Sequence, residues 1–419
     1  MRQRYLIVIV FMISWTVVIA QHGMLDVRIS GLPSGNAPKV LISGPQGFSK
    51  EISQSQVLIN LVSGVYQFSS EITIHRQKPI SQAFVFDNPG KISVRNDTQR
   101  VTVVYRLMPG SDKLWLGNQN AVANTSTRII SFNEQAIAAT GNTNATVKLT
   151  SKGSSPKGMA FDRYGNLWIA DAYTVRMYEW NTLGKTNVTP KYTLSLKEPP
   201  PCVVFDREGN LWVSDGRKAG KIFRIPSGML YGTGPAPTDI TLSGPDISGA
   251  DNMAFDTNGN LWATHEERNS VVKLSAASLK ESSTTVTADL AIECKSKPPV
   301  VMLLSDPKAM AFDRQGNLWV GFFGPNVIAK IPVSHQKQSA TITPEVQLTL
   351  TVGVLLNSLA FDEAGGLWTA MASGKFGRLS PGQLGNAGKV TPEIVVSSTE
   401  LKYAGGLAFY PIPEGLPLR

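Results

Sequence analysis

The chain has 419 residues, of which 17% are charged and 42% hydrophobic, with 37 glycines and 26 prolines. This composition suits a globular chain with a core to bury and excludes a disordered or collagen-like one. The formal charge is +9, but the basic residues are scattered. Without a dense Lys/Arg run interleaved with aromatics, the chain does not read as a nucleic-acid binder, and its charge reads as solubility with weak attraction to acidic surfaces.

The N-terminus opens with Arg2 and Arg4, then a largely apolar run over residues 5–20, ending in Val18, Ile19 and Ala20 before Gln21. That is the pattern of a secretory signal peptide, residues 1–20. Its removal takes the formal charge from +9 to +7. The run is short for a membrane span; an uncleaved anchor is the alternative, and membrane association is expected only in that form. Export would make the protein secreted or periplasmic. Asn96, Asn124, Asn144 and Asn187 stand in Asn-X-Ser/Thr sequences, usable only in a eukaryotic secretory route. Cys202 and Cys294 are the two cysteines, and they allow either a disulfide or two separate thiols.

Residues 21–108 read as short alternating strands. Leu25, Val27 and Ile29 alternate with Asp26, Arg28 and Ser30, and similar runs follow through Leu107. A period of two means one buried and one wet face. The breaks, Gly31-Leu32-Pro33-Ser34-Gly35, Gly44-Pro45-Gln46-Gly47 and Asn88-Pro89-Gly90, are turn chemistry. About seven strands in this length predict a small β-sandwich. His75 stands alone there, and no catalytic grouping accompanies it.

Residues 109–419 carry a recurring phrase. Ala160-Phe161-Asp162-Arg163-Tyr164-Gly165-Asn166-Leu167-Trp168 returns at Asp206–Trp212, Asp256–Trp262, Asp313–Trp319 and Asp362–Trp368. Lys113-Leu114-Trp115 keeps the second half alone, and Gly406-Leu407-Ala408-Phe409 the first half alone. The tryptophans at 115, 168, 212, 262, 319 and 368 are 53, 44, 50, 57 and 49 residues apart. That period in strand-rich sequence predicts propeller blades. Each phrase reads as a hairpin: a strand ending at phenylalanine, an aspartate whose carboxylate takes backbone N–H groups of the turn, a left-handed glycine, and a return strand. The aspartates supply one carboxylate per loop, which argues for turn structure over calcium. The tryptophans are large enough to wedge against the next blade. Five whole copies and two complementary halves make six, so residues 405–410 are expected to pair beside residues 114–117 and close the ring. The connections at 226–250 and 275–306 are Gly-, Pro- and Ser-rich and read as loops.

Two resemblances follow. The phrase Ala-Phe-Asp-X-X-Gly-Asn-Leu-Trp resembles the repeats of six-bladed propellers in the NHL, streptogramin-lyase-like and gluconolactonase-like group. Gly44-Pro45-Gln46-Gly47 with Leu61-Val62-Ser63-Gly64-Val65-Tyr66 resembles carboxypeptidase-regulatory and PEGA-type sandwich modules, which implies an accessory or adhesion role. The propeller group includes enzymes, sensors and binding scaffolds, so enzymatic activity stays open. The architecture implies a site where the connections converge around the central channel.

The residue three after each tryptophan caps a second strand: Asn118, Asp171, Asp215, His265, Phe322 and Met371. Lys157, Asp251, Asn252, Lys308, Asn357 and Ser358 fall on the same face, and Glu266 and Glu267 follow His265. A polar half-ring facing an apolar one suits ligand binding. The expected binding residues are Asn118, Asp171, Asp215, His265, Asn252 and Asn357. The main reading is an exported monomer that binds an extracellular or periplasmic protein, peptide or glycan at this rim. The alternative is a metal-dependent hydrolase or lyase. There the resemblance to streptogramin-lyase-like enzymes implies His265 and Glu266 as catalytic candidates, Asp171 and Asp215 as metal ligands, and a divalent metal as cofactor. Gluconolactonase-like lactonases place Glu-Gly-Pro at the array start, where this chain has Met108-Pro109-Gly110-Ser111. A third reading gives the rim no ligand.

Overall fold

The phrase hairpins are built around their aspartates. Asp162 Oδ1 accepts the N–H groups of Tyr164 and Asn166, each at 2.9 Å, and the Gly165 N–H closes the turn on the Asp162 carbonyl at 3.0 Å. Gly165 sits at φ 82°, a conformation that costs glycine little and other residues much. Oδ2 takes the Trp168 indole N–H at 3.0 Å. The same indole bond recurs from Trp212 to Asp206, Trp262 to Asp256, Trp319 to Asp313 and Trp368 to Asp362 at 2.9–3.2 Å. The aspartate therefore caps the turn and also satisfies the polar atom of a buried tryptophan. Trp115 lacks a phrase aspartate, and its indole N–H bonds the Gly110 carbonyl at 2.8 Å.

The computed structural model describes residues 22–119, 127–150, 156–216, 220–298, 303–353 and 356–416. The signal segment and Asn124 lie outside the described residues. Among these, secondary structure is β-strand with short 3-10 turns, and no helix is long and apolar enough to cross a membrane. The chain divides into two compact units. The first takes its described residues from Met1–Thr73 and Val85–Arg106, the second from Ile74–Phe84 and Leu107–Arg419.

In the first unit Gln56–Val62, His22–Ser30 and Thr98–Leu107 lie side by side, and a second sheet orders Ser49–Ile52, Val40–Ser43, Gly64–Ser70 and Ile92–Val94. The strand His22–Ser30 runs antiparallel to Gln56–Val62 and parallel to Thr98–Leu107. Leu25, Val27, Val40, Ile42, Tyr66, Phe68, Val101 and Val103 are buried, the inward positions of period-two strands.

The second unit is a β-propeller. Among the described residues, six sheets each contain a strand bearing a repeat tryptophan, flanked on the inner side by one that precedes the turn. The innermost strands are Pro156–Phe161, Cys202–Phe205, Met253–Phe255, Pro307–Phe312, Leu356–Phe361 and Ala404–Tyr410, and each contacts the next in that order, the last returning to the first. The C-terminal strand Ala404–Tyr410 pairs antiparallel with Lys113–Asn118, placing Leu114 opposite Phe409 and Leu116 opposite Leu407. The two half phrases thus complete one sheet, which removes an open inner edge.

Neighbouring sheets are stapled by aromatic pairs. Trp115 meets Phe161, Trp168 meets Phe205, Trp212 meets Phe255, Trp262 meets Phe312 and Trp319 meets Phe361. All five are edge-on with centroids 6.0–6.2 Å apart. Trp368 and Phe409 share the core of the closing sheet. Such pairs contribute roughly 0.5–1.5 kcal/mol each beyond area burial.

The connections read as loops at 226–250 and 275–306 instead carry the outer strands Ile240–Ser243 and Leu290–Cys294. Their apolar residues alternate over too short a run to stand out between Gly, Pro and Ser. Several connections also reach back to the preceding sheet: Gly234–Pro235, Ala340–Ile342, Gly388–Val390 and Gly141–Asn142 each add a parallel strand to its outer edge. Cys202 and Cys294 are both buried and form no disulfide. Burial pushes the Cys294 thiol up to about 12.

Candidate functional site: the central pocket

The leading residues of the innermost strands converge on a cavity of about 430 Å³. Its polar lining includes Lys157, Asp251, Asn252, Glu266, Lys308 and Asn357, with Phe323, Tyr403, Gly405 and Gly406 completing the wall. The opposite ends of those strands meet a far smaller apolar space, where Phe255, Phe312 and Phe361 are covered by Ile412, Pro413 and Leu416. Buried Glu363 anchors that cover: it pairs with Arg76 and Arg314 at 3.1 and 2.8 Å and accepts the Glu414 N–H at 3.2 Å.

The expected binding residues separate into two groups. Asn252 and Asn357 line the cavity. Asn357 Nδ2 donates to the Ala404 carbonyl at 2.7 Å, while the Asn252 N–H bonds Thr264 Oγ1 at 3.0 Å. Asn118, Asp171, Asp215 and His265 lie outside that lining and are engaged in holding loops. Asn118 donates to the Glu400 carbonyl and accepts from the Lys402 N–H, at 2.8 and 2.9 Å. Asp171 pairs with Arg176 across its hairpin at 3.1 Å, and Asp215 accepts the Lys221 N–H at 2.6 Å. His265 is 1% exposed. Its Nε2 lies 2.8 Å from the Pro245 carbonyl, and its Nδ1 lies 3.3 Å from the Arg268 N–H; a neutral imidazole protonated at Nε2 satisfies both.

The geometry explains the split. Asn118, Asp171 and His265 end second strands and Asp215 follows one, one strand spacing of roughly 4.8 Å farther from the axis than the innermost ones. Three residues beyond a tryptophan also means the opposite sheet face. Phe322 and Met371, at the equivalent positions, are buried.

Of the catalytic and metal candidates, Glu266 lines the cavity, whereas His265, Asp171 and Asp215 do not. Among the described residues no three His, Cys, Asp or Glu side chains are grouped so as to hold a metal ion. Within the same cavity, Glu266 belongs to a cluster of carboxylates around Lys308. Lys308 Nζ is 2.5 Å from Asp251, 3.4 Å from Asp306 and 3.5 Å from Glu266. Burial pulls the Lys308 ammonium down, but the Asp251 carboxylate, helped by Asp306 and Glu266, more than reverses this and holds it above the usual lysine range. Asp306, Phe323, Gln119 and Tyr403 had no distinguishing signal in the sequence. The usable signal is positional: Asp306 and Tyr403 stand just before the start of an innermost strand, and Gln119 and Phe323, like Glu266, stand four residues after a repeat tryptophan, just past the end of a second strand.

Fold and site together define a β-propeller protein with a polar central pocket. The sequence matches no protein-family model and no curated protein. Similar solved structures include a streptogramin B lyase, 15% identical with TM-score 0.36, covering 56% of this chain and 68% of that one. A protein of unknown function from Bacteroides caccae is 11% identical with TM-score 0.47, covering 71% and 98%. A chain of a nidogen/laminin complex is 11% identical with TM-score 0.47, covering 70% and 97%.

Proposed function

We propose that the protein is an exported six-bladed β-propeller, preceded by a small β-sandwich, that binds an extracellular or periplasmic protein, peptide or glycan in its central pocket. The observation that carries this reading is the cavity of about 430 Å³, lined by mixed charges, amides and two aromatics. Its size lies within the roughly 300–1,000 Å³ of ligand pockets. The metal-dependent hydrolase or lyase remains the alternative, and it needs His265, Glu266, Asp171 and Asp215 around one point. His265 is instead bonded to a loop carbonyl and Asp171 is ion-paired to Arg176 across its own hairpin, which favours binding.

The test is a peptide and glycan array probed with the mature protein and with Lys157→Trp, which fills the mouth of the pocket from an exposed position. Binding by the wild type that the variant loses supports the reading. Identical profiles for the two proteins overturn it. Thermal melts with magnesium, calcium or manganese address the alternative: a stabilising shift that disappears in Asp171→Ala would favour a metal site, and with it the hydrolase or lyase reading.

A further inference from the structure

The charges around the pocket are distributed unevenly. In the order of innermost strands, Pro307–Phe312 lies three steps from Pro156–Phe161 in either direction, so Lys308 and Lys157 face each other across the cavity. On the Lys308 side stand Asp251, Glu266 and Asp306. Three carboxylates against one ammonium leave two negative charges in excess there, among the described residues. Asp251 takes the short contact with Lys308, while Glu266 and Asp306 stand farther off, and the Glu266 side chain is 46% exposed. Phe323 lines the same side, with Lys308 Nζ 5.8 Å from its ring centroid. Asn252 Oδ1, buried in this wall, has no hydrogen-bond partner among the described residues. The opposite side is formed by Lys157, Gln119, Tyr403 and the backbone of Gly405 and Gly406.

We infer that the Lys308 side of the pocket receives an alkyl-ammonium or guanidinium head group, carried on a short apolar stem. The inference rests on the pocket-binding reading and names the chemistry of its ligand. An incoming cation meets a net negative wall in a partly enclosed site, where charges are screened less than in water. Lys308 holds the carboxylates apart and in place, so little ordering is left for the ligand to impose. The Phe323 ring, which Lys308 already overlies, offers an apolar wall to the stem, and the donors of the head group answer the carboxylate acceptors of the wall. An anion on this side would meet repulsion from the same carboxylates. Such a head group comes either from a lysine or arginine side chain of a peptide or from a free diamine.

Calorimetric titration of the mature protein separates the cases. The probes are acetyl-Gly-Lys-Gly-amide, its norleucine counterpart and cadaverine. Saturable binding of either amine, at least tenfold stronger than the norleucine peptide and weakened at least fivefold in Glu266→Gln, supports the inference. Tighter binding of the lysine peptide identifies a peptide source, and tighter binding of cadaverine a free amine. No saturable binding of either amine, or affinity unchanged in a Glu266→Gln protein with a normal melting curve, overturns it. If array ligands still bind in a manner abolished by Lys157→Trp, the pocket-binding reading survives and the cation inference alone falls. If nothing binds, both fall.

Discussion

Arg378 Nε donates to Asp362 Oδ2 at 2.6 Å, and its guanidinium occupies the place that an asparagine side chain fills in the other hairpins. In those, Asn166, Asn210, Asn260 and Asn317 donate through Nδ2 to their phrase aspartates at 2.8–2.9 Å. The last whole phrase has Gly366 at this position. A Cβ built on Gly366 would lie 2.4 Å from Arg378 Nη2. The glycine therefore makes room for an arginine from the adjacent strand, which also reaches Glu393 at 2.8 Å.

Removing Arg378 leaves the fully buried Asp362 side chain without its charged partner. Breaking a buried pair in this way costs about 3–5 kcal/mol, so Arg378→Ala should lower the melting temperature by several degrees. Gly366→Asn alone should also destabilise, because the two side chains compete for one space. The double variant restores the hairpin found in the other sheets and should recover most of the loss. A double variant no more stable than Arg378→Ala would refute the replacement.

The indole bond can be weighed on its own at Asp206. Its carboxylate accepts the Asn210 N–H, Asn210 Nδ2 and Trp212 Nε1. Asp206→Asn keeps the shape and turns one acceptor into a donor. Losing a charged acceptor for a buried indole should cost about 1–3 kcal/mol, read as a lower denaturant midpoint with an unchanged slope. Asp206→Asn with wild-type stability would mean that the turn, and not the tryptophan, is what the carboxylate serves.

Ring closure rests on the C-terminal strand. Truncation before Ala404 removes the partner of Lys113–Asn118 and the cover over Phe255, Phe312 and Phe361. It exposes a strand edge along with apolar surface, so the truncated protein should melt far lower and aggregate. An unchanged melting curve would show that the sheets hold their order without this strand.

Asp246 supplies a pH dependence. The Ala288 N–H holds its carboxyl below the usual range; burial opposes this, and the Arg268 guanidinium adds to the lowering. A folded value below the unfolded one, about 4, means stability present above that pH and lost as the pH falls through the folded value. Asp246→Asn should therefore melt lower than wild type at pH 7, with the gap narrowing below about pH 4. A gap independent of pH would assign the effect to packing instead.

Much of the scaffold is legible in the chain because it is written by local rules. Asp162, Gly165 and Trp168 lie within one turn of each other, so their spacing specifies a hairpin wherever it occurs. The half phrases at Leu114 and Leu407 are far apart in sequence, yet each lacks what the other has, and that pointed to their pairing. The link from Trp168 to Asp162 was less visible: the sequence supplies a donor and an acceptor six residues apart, but the hairpin's register is what brings them together. The outer strands at Ile240 and Leu290 were hidden because their apolar runs are short and sit among turn-forming residues.

The pocket depended on tertiary structure throughout. Asn118, Asp171, Asp215 and His265 share a position in the repeat, and sequence alone placed them at the rim. In the fold that position turns away from the pocket, toward a neighbouring loop at Asn118 and His265 and toward its own hairpin at Asp171 and Asp215, because side chains alternate across a strand and the second strand stands back from the axis. Asp251, Glu266, Asp306 and Lys308 come from two sheets, and no local rule relates their spacing. The sequence thus determined the repeating hairpins and the strand order, because hydrogen bonds and side-chain alternation within one hairpin are local. The identity of the pocket residues was decided only when the innermost strands met around an axis, since which charges come within a few ångströms of one another depends on the whole ring.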